Sequence, residues 1–401
     1  MTSMTREFDL ILFGASGFTG RLVAEHLARS GDRPRWAIAG RSRARLEALG
    51  LGAQVLVADA RDRHALDAIA RRTKVVCTTV GPYAKYGGEL VAACAEAGTH
   101  YCDLTGEVQW MRRMIERHHA RARATGARIV HACGFDSIPS DLGAWALQQE
   151  FLARFGRPAH RVTALFGETS GGVSGGTIAS ALETAAEADG NLEIKQLLGN
   201  PYALDPDPHA PRPPAPDEAS IGWNHHLGMF TVPFVMAPVN TRVVRRSHAL
   251  AGLPWGEGFV YREVMSTPGS ARGAVMAAGI AGAIGGFSFA LKRKRLRELL
   301  ARRVPQPGEG PSRERREHGH WKVRFVGEAG ANGTAAILLY TAGDRADPGY
   351  GSTAKMLGES ALCLALDPLT SEGGVTTPSV AMGGALLARL RRAGLTFAVA
   401  G

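Results

Sequence analysis

Short apolar runs and amphipathic stretches alternate through the first third of the chain. FDLILF at 8–13, RWAIA at 35–39, QVLVA at 54–58, KVVCTT at 74–79 and ARIVHA at 127–132 are nearly continuous apolar segments, the pattern of strands buried on both faces. RLVAEHLARSG from residue 21, then 43–49, 62–72, the stretch up to Gly98 and 107–125 carry apolar residues at helical spacing. A shorter run, HYCDL at 100–104, reads as a further strand. This alternation predicts βαβ units, hence an α/β fold with a Rossmann-type doubly wound parallel sheet over residues 1–147.

The rhythm changes after about Leu147. Residues 160–167 read as a strand, followed by the glycine-rich SGGVSGGT and a helix through 178–198. Residues 201–217 hold seven prolines, which excludes helix or central strand and marks a surface excursion. Strand-like runs follow at 230–246, 258–265, 320–327 and 334–341. Together these predict a second, α+β domain over 148–352, serving substrate binding or dimerisation. Helical patterns at 353–367 and 379–393 predict that 353–401 returns to pack on the first domain.

Composition narrows the function. At 401 residues two domains are the natural reading. The net charge of +10 raises nucleic acid as a partner, but only seven of the 47 basic residues are lysine and no nucleic-acid module is recognisable. Five scattered cysteines form no CxxC pair. That argues against zinc and disulfides and fits a reducing cytoplasm. MTSMTREFDL has no apolar core of signal-peptide length.

The first strand ends in Gly14-Ala15-Ser16-Gly17-Phe18-Thr19-Gly20 before a helix. Gly14 allows a sharp turn, Gly17 lets backbone approach a pyrophosphate, and Gly20 lets helix and sheet pack closely. The phosphates then meet free N–H groups and the positive end of the helix dipole. NAD-preferring domains place Asp or Glu after the second strand; this chain has Arg41-Ser42-Arg43. Guanidinium pairs with a 2′-phosphate that a carboxylate would repel, so the cofactor expected is NADP(H). Asp59, after the third strand, stands where it can approach the adenine or cap the next helix.

Val80-Gly81-Pro82-Tyr83 and Lys85-Tyr86-Gly87 follow the fourth strand, on the sheet edge where ligands bind in open α/β folds. Val80, Gly81 and Pro82 are expected beside the nicotinamide. Tyr83 and Tyr86 are candidate catalytic proton donors, with packing over the cleft as the alternative. Further on stand Asp103, Glu107 and the run His131 to Asp141, of which Asp103 and Asp136 follow strands on the same edge. Asp136 and Ser137 are candidates to face substrate, with capping and loop bracing as the plainer roles.

GASGFTG, AGRSRARL, TTVGPYAKYGG, YCDLTGE and ACGFDSIPSDLG together resemble the saccharopine-dehydrogenase-like oxidoreductases. Within them the chain is most similar to the trans-acting enoyl reductases of mycobacterial glycolipid biosynthesis. The resemblance extends through SGGVSGGTIAS, PYALDP, APVNTRVVRRS and VTTPSVAMGGALLARL, nearly the full length. It implies an NADPH-dependent enzyme reducing an enoyl bond of acyl or polyketide intermediates carried by a polyketide synthase. Saccharopine-type imine reduction, with Arg242, Arg245 and Arg246 holding carboxylates, is the alternative activity. A non-catalytic NADP(H)-binding protein at a lipid surface is the alternative of another class. The resemblance supplies no catalytic acid.

Residues 273–291 are free of charge and lead into KRKRLRELLARR. Five glycines weaken this segment as a transmembrane span. An apolar stretch beside a basic cluster is expected to touch an anionic bilayer peripherally, at the inner face of the plasma membrane. The competing reading is a small-residue helix packed in the second domain.

Overall fold

Leu10 and Leu12 of the first strand point into one buried cluster, Ile11 and Phe13 into another, which is why FDLILF shows no polar alternation. The structure, a computed structural model, describes residues 6–170, 175–302, 312–331 and 334–400. Its strands are β1 (Phe8–Phe13), β2 (Trp36–Gly40), β3 (Gln54–Val57), β4 (Thr73–Thr78), β5 (His100–Cys102), β6 (Arg128–Val130) and β7 (Arg161–Ser170). They continue as β8 (Gly222–Asn224), β9 (Met229–Val232), β10 (Val260–Pro268), β11 (His320–Ala331), β12 (Thr334–Asp344), β13 (Gly374–Thr376) and β14 (Thr396–Val399).

The first sheet has the order β13-β6-β5-β4-β1-β2-β3 and every pair is parallel. The order reverses beside β1, where β2 lies on one side and β4 on the other, creating the crevice typical of dinucleotide-binding sheets. The second sheet, β14-β12-β11-β7-β10-β9-β8, is antiparallel except for β7 with β10. The α/β fold read from the sequence, with its mixed second sheet and C-terminal helices, is the one found.

The helix Ile138–Phe155 links the sheets. A Cβ on Gly143 would lie 2.3 Å from the Phe325 ring of β11, so only glycine lets them meet this closely. The helices Thr353–Leu366 and Pro378–Arg392 return to the first sheet's outer layer, where Glu359 meets His26 at 2.9 Å and Arg389 meets Asp32 at 2.8 Å. Between and after them, β13 and β14 add one strand to each sheet, so the C-terminus fastens both.

Two expectations need correcting. The run 230–246 is not a strand throughout: β9 stops at Val232 and a helix spans Ala237–Leu250. Pro238 in its first turn and the polar residues between valines favour helix, and tertiary burial outweighs the β-branched content. The helix expected through 178–198 is two, Gly175–Ala188 and Leu192–Gly199, with Asn191 capping the second through Ile194 N. Residues 171–174 of the glycine-rich run lie outside the described residues.

Candidate active site

The glycine loop leaves β1 at Gly14, whose φ of +92° favours glycine. A Cβ on Gly20 would fall 2.1 Å from the Gly14 carbonyl oxygen, so the helix Phe18–Ala28 can start this close only with glycine there. At Gly17 an added Cβ would meet nothing nearer than that oxygen, at 3.4 Å, leaving open space above the helix end. No side chain caps this end and no acid lies in its first turn. Ala15 is buried, Ser16 and Gly17 are exposed, and Thr19 is half-buried. An open, uncapped helix N-terminus is the feature a pyrophosphate requires. The second sheet's side of the molecule reaches it through Tyr350, whose ring meets Phe18 edge-on at 4.9 Å.

After β2, Ser42 caps the helix Arg43–Glu47 by accepting from Arg45 N at 3.4 Å. Arg43 pairs with Glu47 at 3.3 Å, while Arg41 is exposed and has no ion pair among the described residues. The two arginines therefore differ: one is engaged and one is free to meet an anion. Asp59 accepts the Arg61 amide at 2.9 Å, and the cap of the next helix is Asp62, accepting from Ala65 N.

The loop after β4 is tied to the glycine loop by Thr79, which donates to the Gly14 carbonyl at 3.2 Å. Val80 is half-buried, and the Gly81–Pro82 bond is cis. Tyr83 is turned inward, 4 % exposed, with its hydroxyl donating to Thr78 O at 3.2 Å and accepting from Leu104 N at 3.4 Å. Burial, then the Asp103 carboxylate, holds its phenol well above the ordinary range. Tyr86 instead borders a cleft of about 630 Å³, where Arg61 donates to its hydroxyl at 3.4 Å and covers its ring at 5.2 Å. Lys85 and Arg113 line the same cleft, paired with Glu183 and Glu187 of the helix Gly175–Ala188, which forms its far wall.

Glu107 is the residue that sequence reasoning did not place. Fully buried, it accepts from the Tyr83 amide at 2.9 Å and the Ala84 amide at 2.7 Å, and Ser180 donates to it at 3.2 Å. Burial raises its pKa against these hydrogen bonds. One carboxylate thus holds the β4 loop, the helix Val108–Thr125 and the far wall of the cleft together. Asp103 braces the neighbouring loop, accepting from Tyr101, His131, Thr105 N and Ala132 N.

Asp136 and Ser137 separate. Ser137 is fully buried and donates to Asn240 at 3.0 Å. Asp136 is half-buried, its carboxyl pushed up to about 7 by enclosure and by Asp103. Beside it Phe135 meets Trp321 at 5.0 Å and Phe166 at 6.2 Å, and Phe166 stacks on Phe234 at 4.2 Å, making an aromatic wall. Arg242, Arg245 and Arg246 do not form a carboxylate site. They are buried, with Arg242 on Asp217 and Leu198 O, Arg245 on Pro201 O and Ala215 O, and Arg246 on Leu204 O and Val375 O. Their task is to fasten the proline-rich excursion.

The saccharopine dehydrogenase NADP-binding domain matches residues 10–130. Over 98% of its length the chain is 42% identical to the trans-acting enoyl reductases of Mycobacterium bovis BCG and Mycobacterium ulcerans, covering 98% of each. A Mycobacterium tuberculosis protein named for the same activity is 44% identical over 99% of this chain and 98% of its own. Saccharopine dehydrogenase (L-Glu forming) of Saccharomyces cerevisiae shares the fold, with a TM-score of 0.55 at 14% identity over 98% of this chain and 99% of that one. The chain belongs to the trans-acting enoyl reductase family and is an NADP(H)-dependent oxidoreductase built on the saccharopine dehydrogenase fold.

Proposed function

We propose that this enzyme reduces the enoyl double bond of acyl or polyketide intermediates in lipid or glycolipid biosynthesis, acting in trans in the cytoplasm on chains carried by a polyketide synthase. The observation that carries the reading is the open, uncapped helix end at Gly17, together with an exposed Arg41 after β2 that has no ion pair among the described residues. NADPH, when bound, supplies a hydride to the β-carbon of the conjugated double bond.

The backbone amides of Phe18, Thr19 and Gly20 hold the pyrophosphate at the helix end. Arg41 and the hydroxyl of Ser42 hold the 2′-phosphate. Asp59 lies on the adenosine side, and Val80, Gly81 and Pro82 border the nicotinamide. The aromatic wall of Phe135, Phe166, Phe234 and Trp321 excludes water from an apolar chain. A proton must reach the α-carbon, and Asp136 and Tyr86 are the candidate donors. Asp136 stands beside that wall with its carboxyl pushed up to about 7 by burial, and Tyr86 borders the cleft.

Incubation of the purified chain with NADPH and an α,β-unsaturated acyl thioester tests the proposal. Loss of nicotinamide absorbance together with the saturated thioester is the expected result. Bound but unconsumed NADPH would overturn it. Consumption only with an amino acid and a 2-oxo acid would assign imine reduction instead.

A further inference from the structure

The helix Ala271–Leu291 is the one helix among the described residues long and apolar enough to cross a membrane, yet only 6% of its most apolar window is fully buried. Its burial follows a helical period: Gly273, Ala277, Ile280, Ile284, Phe287 and Leu291 turn toward the body along the whole length. Both ends are held there. Thr267 of β10 donates to Gly273 O at 2.8 Å, and beyond the other end Arg297 donates to Leu291 O and pairs with Asp189 at 2.9 Å. The helix, about 31 Å long at 1.5 Å per residue, therefore lies flat along one side of the protein.

Its outward stripe is apolar and uncovered. Val275 is 73% exposed, Met276 44% and Phe289 55%. The patch continues past the first turn to Trp223 of β8 and Ile221 just before it, both exposed, with the indole against Gly269. Past the last turn it reaches Leu296 and Leu299 on the helix Lys294–Ala301. Lys292, Arg293, Lys294 and Arg295 border that end, all exposed, with the Arg293 guanidinium over the Phe289 ring at 5.1 Å.

We infer that this side of the protein docks in the plane of an anionic lipid bilayer, the helix Ala271–Leu291 lying in the headgroup boundary and the cluster at 292–295 meeting the lipid phosphates. Charge selects the occupant: residues 292–302 carry six basic side chains and one acid, Glu298. A second copy of the chain would set cation against cation, whereas an anionic surface complements them. A tryptophan beside the apolar stripe is the side chain favoured at that depth. Tethering at both ends excludes a crossing, because a span would place its ends on opposite sides of the membrane.

Flotation of the full chain with vesicles tests this, using phosphatidylcholine alone and phosphatidylcholine with about one third phosphatidylglycerol. Binding is expected only to the anionic vesicles at low salt, and release at high salt. Lys294→Gln and Arg295→Gln should each weaken partitioning about fivefold. Phe289→Ser and Trp223→Ser should weaken it at every salt concentration, with NADPH binding unchanged. Val275→Ser replaces Trp223→Ser if the latter fails to fold, since Trp223 also packs on Phe230. Absence of flotation at low salt overturns the inference, as does resistance to alkaline carbonate, which would mean insertion. Conversion of a dimer to monomers by the serine variants, with no change in lipid binding, would make the face a self-interface.

Discussion

Arg41 and Arg43 stand two positions apart on one turn, and their surroundings give them different work. Arg43 is balanced by Glu47, so Arg41 is the residue expected to discriminate NADPH from NADH. A charge-assisted hydrogen bond is worth roughly 1.5–3 kcal/mol, so Arg41→Ala should erase most of the preference and Arg43→Ala much less. Titration with both cofactors reads this out. An equal loss of affinity for NADPH and NADH would remove Arg41 from the 2′-phosphate site. The tyrosines divide in the same way. Tyr83→Phe deletes two internal hydrogen bonds and should cost about 1–3 kcal/mol of stability, with the pH profile of turnover unchanged. Tyr86→Phe should lower kcat by about 10²-fold or more if its phenol delivers the proton, leaving NADPH affinity intact. A wild-type rate in Tyr86→Phe would leave Asp136 as the donor, and Asp136→Asn should then carry the loss.

Glu107 acts at the scale of elements, because its two acceptor oxygens hold the start of the loop at Tyr83 and Ala84. Glu107→Gln keeps one acceptor but turns an N–H₂ toward the other backbone amide. A buried amide left unsatisfied costs about 1–3 kcal/mol, so thermal melts should show a clear loss of stability. Turnover should fall with it, since the same loop carries the proposed nicotinamide contacts Val80, Gly81 and Pro82. Undiminished turnover with lowered stability would restrict Glu107 to a purely architectural role. No sequence pattern announces this contact, because its partners are backbone amides 23 and 24 residues upstream and an amide has no residue signature. Arg242, Arg245 and Arg246 misled for the related reason that backbone carbonyl oxygens engage their Nη groups. The parallel sheet was legible because strands such as KVVCTT are buried on both faces and need no alternation. β13, three residues long, offers too little pattern to detect, yet it adds an edge to the sheet. In the 230–246 run, valine and phenylalanine suggested strand where Pro238 begins a buried helix.

The two sheets and the C-terminal return are joined through buried polar groups, and these make the stability of the whole molecule pH-dependent. Asp141 of the linking helix accepts from Ser247, Ser379 N and Ser379 Oγ, so three parts of the chain meet on one carboxylate. Glu263 accepts from Tyr261 at 2.7 Å and Asn240 at 3.0 Å. Burial pushes Glu263 up to about 7 and Asp141 to about 6, and Asp136 lies near 7 for the same cause aided by Asp103. A carboxyl with a raised folded pKa keeps a proton that the unfolded chain releases near pH 4. Its contribution is therefore full at low pH and fades as pH rises through about 7. His100 and His248 act in the opposite sense, lowered to about 4 first by burial. The unfolded chain binds their protons from about pH 6.5 downward, so these residues destabilise the fold as acid is added. The two trends oppose each other between about pH 4 and 6.5, and above that only the carboxyls still act, so melting temperature in the absence of cofactor should fall between about pH 6.5 and 7 and then level off. Glu263→Gln keeps the size and polarity of the side chain without a charge to bury. It should remove the part of the decline that Glu263 causes between about pH 4.5 and 7 and raise the melting temperature above pH 7 over that of the parent. A melting temperature that climbs steadily to pH 8 in the parent chain would show that these acids ionise inside the fold without penalty.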